Sequence, residues 1–174
     1  LDVVDYPTIP DFKAEGAVFM HGDDFVDAVQ KTIFATAKGD TRYALNGIYM
    51  TVADGGCEFV SSDTHRLSLV KKKVRNPDAS AYDGIILTKG MSTLARLAAG
   101  ADMVEINITA NEMLARTPNA TVVIRRVEGM FPRYNDVIPP KSESHFTVKR
   151  DELQRDLHSI GLMTADESKS VLFS

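Results

Sequence analysis

The strongest constraint in this sequence is an order of elements that occurs twice and then begins a third time. Short apolar or alternating runs predict strands, and a 3.6-residue apolar period predicts helices. A strand at 17–20 leads into a helix over 23–37, where Phe25, Val26, Val29, Ile33 and Ala37 share one stripe. Asp23 is placed to cap this helix and Asp24 to favour its positive end. Strand-like runs follow at 43–52, 58–61 and 66–74. The first of them closes on Asp54-Gly55-Gly56, a hairpin signal. The order then recurs. A strand at 84–88 precedes a helix over 89–99 with Met91, Leu94 and Leu97 inward, and three strands follow at 103–109, 113–117 and 121–127. Within 103–109, Val104, Ile106 and Ile108 alternate with Glu105 and Asn107, the pattern of a strand with one face buried.

The third copy stops early. Residues 145–149 are strand-like, 151–163 form an amphipathic helix with Leu153, Leu157 and Ile160 apolar, and 170–174 begin another strand. The helices start near positions 23, 89 and 150, about 60 to 66 apart, as in tandem copies of one supersecondary unit. The fold class expected is α+β: two strand–helix–strand–strand–strand units with antiparallel sheets under two helices, then a partial third unit. A half copy cannot bury its helix, so the chain is expected to be part of a longer protein. The other reading has 144–174 adding to the first domain or pairing between chains. The boundaries expected are a Pro-containing linker at 1–13, a domain at 14–130, a second linker at 131–143 and a truncated domain at 144–174.

With 44% hydrophobic and 25% charged residues, the 174-residue chain can bury a core. No stretch approaches the ~20 apolar residues that span a bilayer, so no membrane partner is expected. The single cysteine, Cys57, has no internal disulfide partner, which fits a reducing cytoplasm. The net charge of −4 argues weakly against nucleic acid, but only local placement decides the field that a phosphate meets. Lys71-Lys72-Lys73 at a strand end reads as a solubilising run that protects a sheet edge.

Three segments are specific when taken together and in order: Arg42-Tyr43-Ala44-Leu45-Asn46-Gly47, Ser62-Asp63-Thr64-His65-Arg66-Leu67, and Val127 through Pro139 with Gly129-Met130-Phe131-Pro132-Arg133-Tyr134. In this register they resemble the beta subunit of bacterial DNA polymerase III, the sliding clamp, from the first linker to the end of the chain. The resemblance implies a ring of two subunits, each of three like domains. Such a ring encircles duplex DNA without reading its sequence and tethers a polymerase. It further implies that this part of the chain is the middle domain plus the start of the third.

The resemblance also implies a pocket for linear peptides from the replicative polymerase, the clamp loader and repair polymerases. Its wall here is Leu45, Ser62, Thr64, His65, Arg66, Leu67, Pro132, Asp136 and Val137. Thr64 stands where the family commonly has glycine, and Asp136 where a basic residue is common. DNA-facing residues implied are Arg42, Tyr43 and Lys89, then Arg96, Lys31 and Lys38. From spacing alone, Lys89, Ser92, Thr93 and Arg96 share one face of the second helix, and Lys31 and Lys38 one face of the first, together with Asp24 and Asp27. The plain alternatives stay open. Charged helix faces are usually just solvated, and Leu45, Leu67 and Val137 can be ordinary core residues.

No enzymatic function, cofactor or metal is expected. Asp63, His65, Ser61 and Ser62 lie in one turn, which outwardly resembles a hydrolase site, but residues two apart on an extended segment rarely make a working triad. The four histidines make no metal-ligand spacing with the lone cysteine. A DNA-independent scaffold domain of the same fold is the second reading, and a hydrolase centred on His65 a distant third. A fragment lacking one ring-contact domain and most of another is expected to be monomeric.

Overall fold

A computed structural model describes residues 12, 16–39, 43–75, 81–140, 146–164 and 170–172. Most of the expected first linker, together with Arg42 and residues 141–145, lies outside them. The described chain forms two units, residues 1–134 and 135–174.

The first unit contains both complete copies. In the first, β1 (Val18–Met20) and α1 (Gly22–Ile33) precede β2 (Gly47–Ala53), β3 (Gly56–Ser62) and β4 (Leu67–Lys73). In the second, β5 (Tyr82–Leu87) and α2 (Thr88–Ala98) precede β6 (Val104–Ile108), β7 (Glu112–Thr117) and β8 (Ala120–Val127). All eight strands belong to one antiparallel sheet, in the order β1-β6-β7-β8-β5-β2-β3-β4.

The order contains an exchange. Each copy's first strand pairs with the second strand of the other copy: β1 with β6 through Phe19↔Glu105, and β5 with β2 through Tyr49↔Ile85. The junctions to each copy's own last strand are equivalent but unequal. β5 meets β8 at Ile85↔Val127 and Ile86↔Arg126, whereas Phe19 and Arg75 form a single bridge just beyond β4. The short β5–β8 junction is braced by a side chain. Arg126 donates from Nη2 to the Asp83 carbonyl at 2.7 Å and from Nη1 to those of Thr109 and Ala110 at 2.8 and 3.1 Å. Its guanidinium lies so close over Gly84 that any Cβ there would sit 2.5 Å from Arg126 Nε.

One face of the sheet is covered by α1 and α2, and the core lies between. Ile48, Met50 and Val52 of β2 point inward, as do Val104, Ile106 and Ile108 of β6, the alternation expected from the sequence. Phe25 of α1 meets Phe59 of β3 edge to face at 5.9 Å. The β2–β3 hairpin turns through Asp54 and Gly55, both at positive φ (51° and 72°), the geometry that makes Asp-Gly favourable there.

Several expectations need correcting. Helix α1 ends at Ile33 rather than Ala37. Thr36 turns its hydroxyl back to the Ile33 carbonyl, and the Ala37 N–H is taken by the Leu45 carbonyl at 2.9 Å, so the backbone leaves the helix. Lys38 therefore does not share a helix face with Lys31. Asp23 is not the cap. His21 holds that position without a side-chain bond, and the Gly22 N–H is satisfied by the Ala101 carbonyl from beyond α2. In α2 the inward residues are Met91, Leu94, Ala95 and Ala98, while Leu97 is 43% exposed, because positions 91, 94, 95 and 98 form the stripe that faces the sheet. Residues 43–45 are a 3-10 turn, and β2 starts only at Gly47. The lysine run is engaged: Lys71 pairs with Glu58 across the strands, and Lys72 with Asp24 and Asp27 of α1 at 2.9 Å each.

The second unit holds α3 (Arg150–Gly161), with Leu157 and Ile160 exposed. The strands expected at 145–149 and 170–174 are not formed at 146–149 or 170–172, the parts described.

Because Leu94 is fully buried beneath α2, Leu94→Ala is expected to destabilise the chain by about 2–5 kcal/mol in urea unfolding.

Candidate functional site: an edge groove and a two-helix face

The turn between β3 and β4 is built around one carboxylate. Asp63 Oδ1 accepts the backbone N–H groups of His65 and Arg66, each at 3.1 Å, and its Oδ2 accepts Arg66 Nε at 2.9 Å. Ser62 donates its hydroxyl to the Arg66 carbonyl at 2.8 Å and accepts the Thr64 N–H at 3.2 Å. Partial burial pushes the Asp63 carboxyl up, but these backbone bonds and the guanidinium outweigh it and hold its pKa below the ordinary value. The guanidinium of Arg66 also lies over the Phe34 ring, 5.6 Å from its centroid.

Beside this turn runs a groove of about 470 Å³, lined by Thr36, Ala37, Lys38, Leu45, Asp63, Thr64, His65 and Arg66. Leu45 lies at its floor but is only 3% exposed, and half-buried Ala37 adds apolar lining beside it. Of the residues expected in a peptide pocket, the structure thus brings Leu45, Thr64, His65 and Arg66 together. Ser62 braces the turn from behind, and the half-buried Leu67 opens β4 opposite it. Pro132 is exposed on the segment after β8. Asp136 and Val137 fall in the second unit, where Val137 is 68% exposed.

Sequence reasoning missed the 36–38 wall. Its signal was the premature end of α1, which follows from Thr36 and not from any break in the apolar period. It also missed what the aromatic residues after β8 do. Phe131 stacks on Tyr49 at 5.0 Å and 4°, and Tyr134 donates to Glu58 Oε2 at 2.6 Å, which fixes the segment carrying Pro132 to β2 and β3.

Thr64 has φ +80°, a left-handed conformation that a β-branched residue rarely adopts. Glycine, which the resemblance implies for this position, adopts that conformation without strain.

The hydrolase reading finds no support in this geometry. Ser61 donates to the Thr32 carbonyl and Ser62 to that of Arg66, so both hydroxyls are committed to backbone. The Asp63 oxygens are held by backbone N–H groups and Arg66, and His65 meets Asp63 through its backbone N–H. Cys57 is buried, and burial first, then the neighbouring Glu58 charge, pushes its thiol far up, away from reactivity. Among the described residues no cluster of histidine, cysteine or acidic side chains can hold a metal, and no helix is long and apolar enough to cross a membrane.

The second candidate surface is the outer face of α1 and α2. The two helices differ in charge. Lys31 is paired with Asp27 at 2.7 Å, and Asp24 and Asp27 hold Lys72. Helix α2 carries Lys89 and Arg96 and no carboxylate. Both cations are exposed and lie two turns apart on one side; Arg96 reaches Thr93 and lines a shallow apolar seam with Val26, Val29 and Ile33 of α1. Tyr43 is 66% exposed at the start of its 3-10 turn.

Solved sliding clamps have this architecture. The chain superposes on the DNA polymerase sliding clamp from Bacillus subtilis with a TM-score of 0.88, 25% identity, and coverage of 95% of this chain and 44% of that one. For a clamp from Pseudomonas aeruginosa with ligand, the values are 0.84, 26%, 96% and 46%. The fold is therefore that of the sliding clamps. The family model described as DNA polymerase III beta subunit, central domain, matches residues 20–133, and the chain belongs to that family. The beta sliding clamp of Chlamydia muridarum is 26% identical over 170 residues, which cover 98% of this chain and 46% of the relative. The chain thus spans a little under half the length of the relatives it matches.

Replacing Thr64 by glycine relieves about 1–2 kcal/mol of left-handed strain and returns about 0.5–1 kcal/mol of unfolded-chain entropy. Thr64→Gly is therefore expected to raise stability by roughly 0.5–1 kcal/mol in denaturant titration, whereas Thr64→Val is expected to bring no gain.

Proposed function

We propose that this chain is the middle domain, residues 14–130, and the start of the third domain, from 144, of a cytoplasmic processivity clamp, joined by linkers at 1–13 and 131–143. The full-length protein closes as a homodimeric ring around duplex DNA, without sequence preference and without catalysing a reaction. The isolated chain is monomeric. The ring holds the replicative polymerase, the clamp loader and repair polymerases through linear peptides seated in the groove beside Leu45 and the 62–67 turn. Pro132, on the segment after β8, belongs to the same peptide site, and the resemblance alone assigns Asp136 and Val137 to peptide binding.

The observation that carries the DNA half is the pair of helices side by side on one face of the sheet, with Lys89 and Arg96 unanswered by any carboxylate on α2. A ring that slides needs diffuse positive charge toward phosphates and no base-specific contacts. Exposed Tyr43 adds to that surface beyond α1, and Arg42, outside the described residues, is assigned to DNA by the resemblance alone. Lys31 and Lys38 contribute less: the charge of Lys31 is answered by Asp27, and Lys38 lines the groove. A scaffold domain without a DNA role is the reading to be separated from this one.

In the full-length ring, Lys89→Ala and Arg96→Ala are each expected to lower the slope of log affinity for duplex DNA against log salt by about 1, and Lys31→Ala by less. Fluorescence anisotropy across a salt series measures this, and unchanged slopes in both α2 variants sink the DNA-facing assignment. For the peptide half, a peptide with leucine and phenylalanine anchors soaked into crystals is expected to lie against Leu45 and Leu67. Density for it only elsewhere overturns that assignment.

A further inference from the structure

The groove beside the β3–β4 turn is lined by three basic side chains, and they are not equivalent. Arg66 is committed twice, to Asp63 through Nε and to the face of Phe34. Asp63 is in turn saturated by Arg66 and two backbone N–H groups, so this pair presents little net charge to a ligand. His65 is exposed and reaches the turn only through its backbone N–H. Lys38 differs from both. Its backbone is fixed on either side, by the Ala37 N–H donated to the Leu45 carbonyl at 2.9 Å and by Asn46 Nδ2 donated to the Gly39 carbonyl at 2.7 Å. Its side chain is exposed and makes no ion pair or hydrogen bond with the described residues. The wall of the groove therefore carries one basic side chain that no described residue neutralises, mounted on a held segment next to Leu45.

We infer that Lys38 is a specificity-determining residue of this groove, selecting peptides that carry a carboxylate beside their apolar anchor. This rests on the peptide-binding reading of the groove and narrows it to acidic ligands. The physical basis is a difference in cost. An acidic side chain placed near Lys38 gains an ion pair that Arg66, already paired, does not offer. A neutral peptide leaves Lys38 solvated and loses nothing. Because the pair is exposed, the preference is modest and screened by salt.

The test uses a set of synthetic heptapeptides with leucine and phenylalanine anchors and one aspartate at a single non-anchor position, each with an asparagine twin. Binding to the 174-residue chain is followed by amide chemical shifts, which read weak affinities residue by residue. At low salt the best aspartate peptide is expected to bind about three- to five-fold more tightly than its twin, with the advantage shrinking as salt is raised. Lys38→Gln is expected to abolish the advantage while leaving the asparagine peptide within about two-fold of its original affinity, and His65→Gln to preserve it. Equal losses for both twins in Lys38→Gln, or an advantage that survives it, overturn the inference while the peptide-binding reading stands. If no peptide shifts the amides of Leu45 and residues 63–66, the peptide-binding reading fails and takes the inference with it.

Discussion

The structure depends on the exchange of first strands between its two copies. Because β1 completes the sheet of the second copy and β5 that of the first, neither copy can close its own sheet alone. Antiparallel pairing across a duplicated unit gives one continuous sheet, and a single sheet face then takes both helices side by side. The same exchange explains why the bracing falls where it does. At the β5–β8 junction only two residue pairs are in register, and Arg126 makes up for the short ladder by gathering three carbonyls over Gly84. At the equivalent place in the other copy, Phe19 and Arg75 exchange both backbone hydrogen bonds, at 2.8 and 2.9 Å.

This arrangement also separates the two candidate surfaces. The helices leave one side of the sheet for a broad face, while the groove forms where the end of α1, the 43–45 turn and the β3–β4 turn converge. Convergence needs α1 to stop in time. Thr32 and Thr36 both return their hydroxyls to carbonyls one turn back, and the next backbone N–H, that of Ala37, is taken by Leu45. Side-chain bonds of this kind compete with the helical ladder, and here they coincide with its end. Thr36, Ala37 and Lys38 are thus supplied by the segment just past a helix terminus, which keeps them close to a rigid element without placing them on one.

How much of this was legible in the sequence depends on which physical signal each feature sends. The alternation of Val104, Ile106 and Ile108 reports burial directly, and the strand order of each copy could be read from such runs. The Asp-Gly hairpin was legible for the same local reason, since positive φ at two successive positions selects for it. Helix ends were not. The apolar stripe of α1 runs on to Ala37, and only tertiary hydrogen bonds show that the chain has already turned away. Leu97 was misplaced because a 3-residue spacing from Leu94 fits a stripe as well as the 4-residue spacing that Ala98 takes. The pocket residues were legible only by resemblance, since nothing in the spacing of Leu45 and the 62–67 segment foretells that they meet. The strain at Thr64 needed both kinds of reading: resemblance marked the position as one for glycine, and the backbone angle supplies the cause.

Net charge is the weakest guide to this molecule, and the helices show why. The chain carries an excess of four acidic groups, yet the acids near the two-helix face are concentrated on α1, where Asp27 holds Lys31 and shares Lys72 with Asp24. The hydrogen bonds that Lys31 and Lys72 donate come first in holding Asp27 ionised below its ordinary range, and those that Lys72 donates to Asp24 and Asp27 hold Lys72 charged above its own. Such pairs are nearly silent at the distance of a passing polyanion, because opposite charges within about 3 Å cancel well inside a Debye length of roughly 8 Å. What remains is Asp23 at the start of α1 and, on α2, two cations and no acid. An acidic protein can therefore present a positive face, provided its carboxylates are paired locally and its cations on the neighbouring helix are left alone.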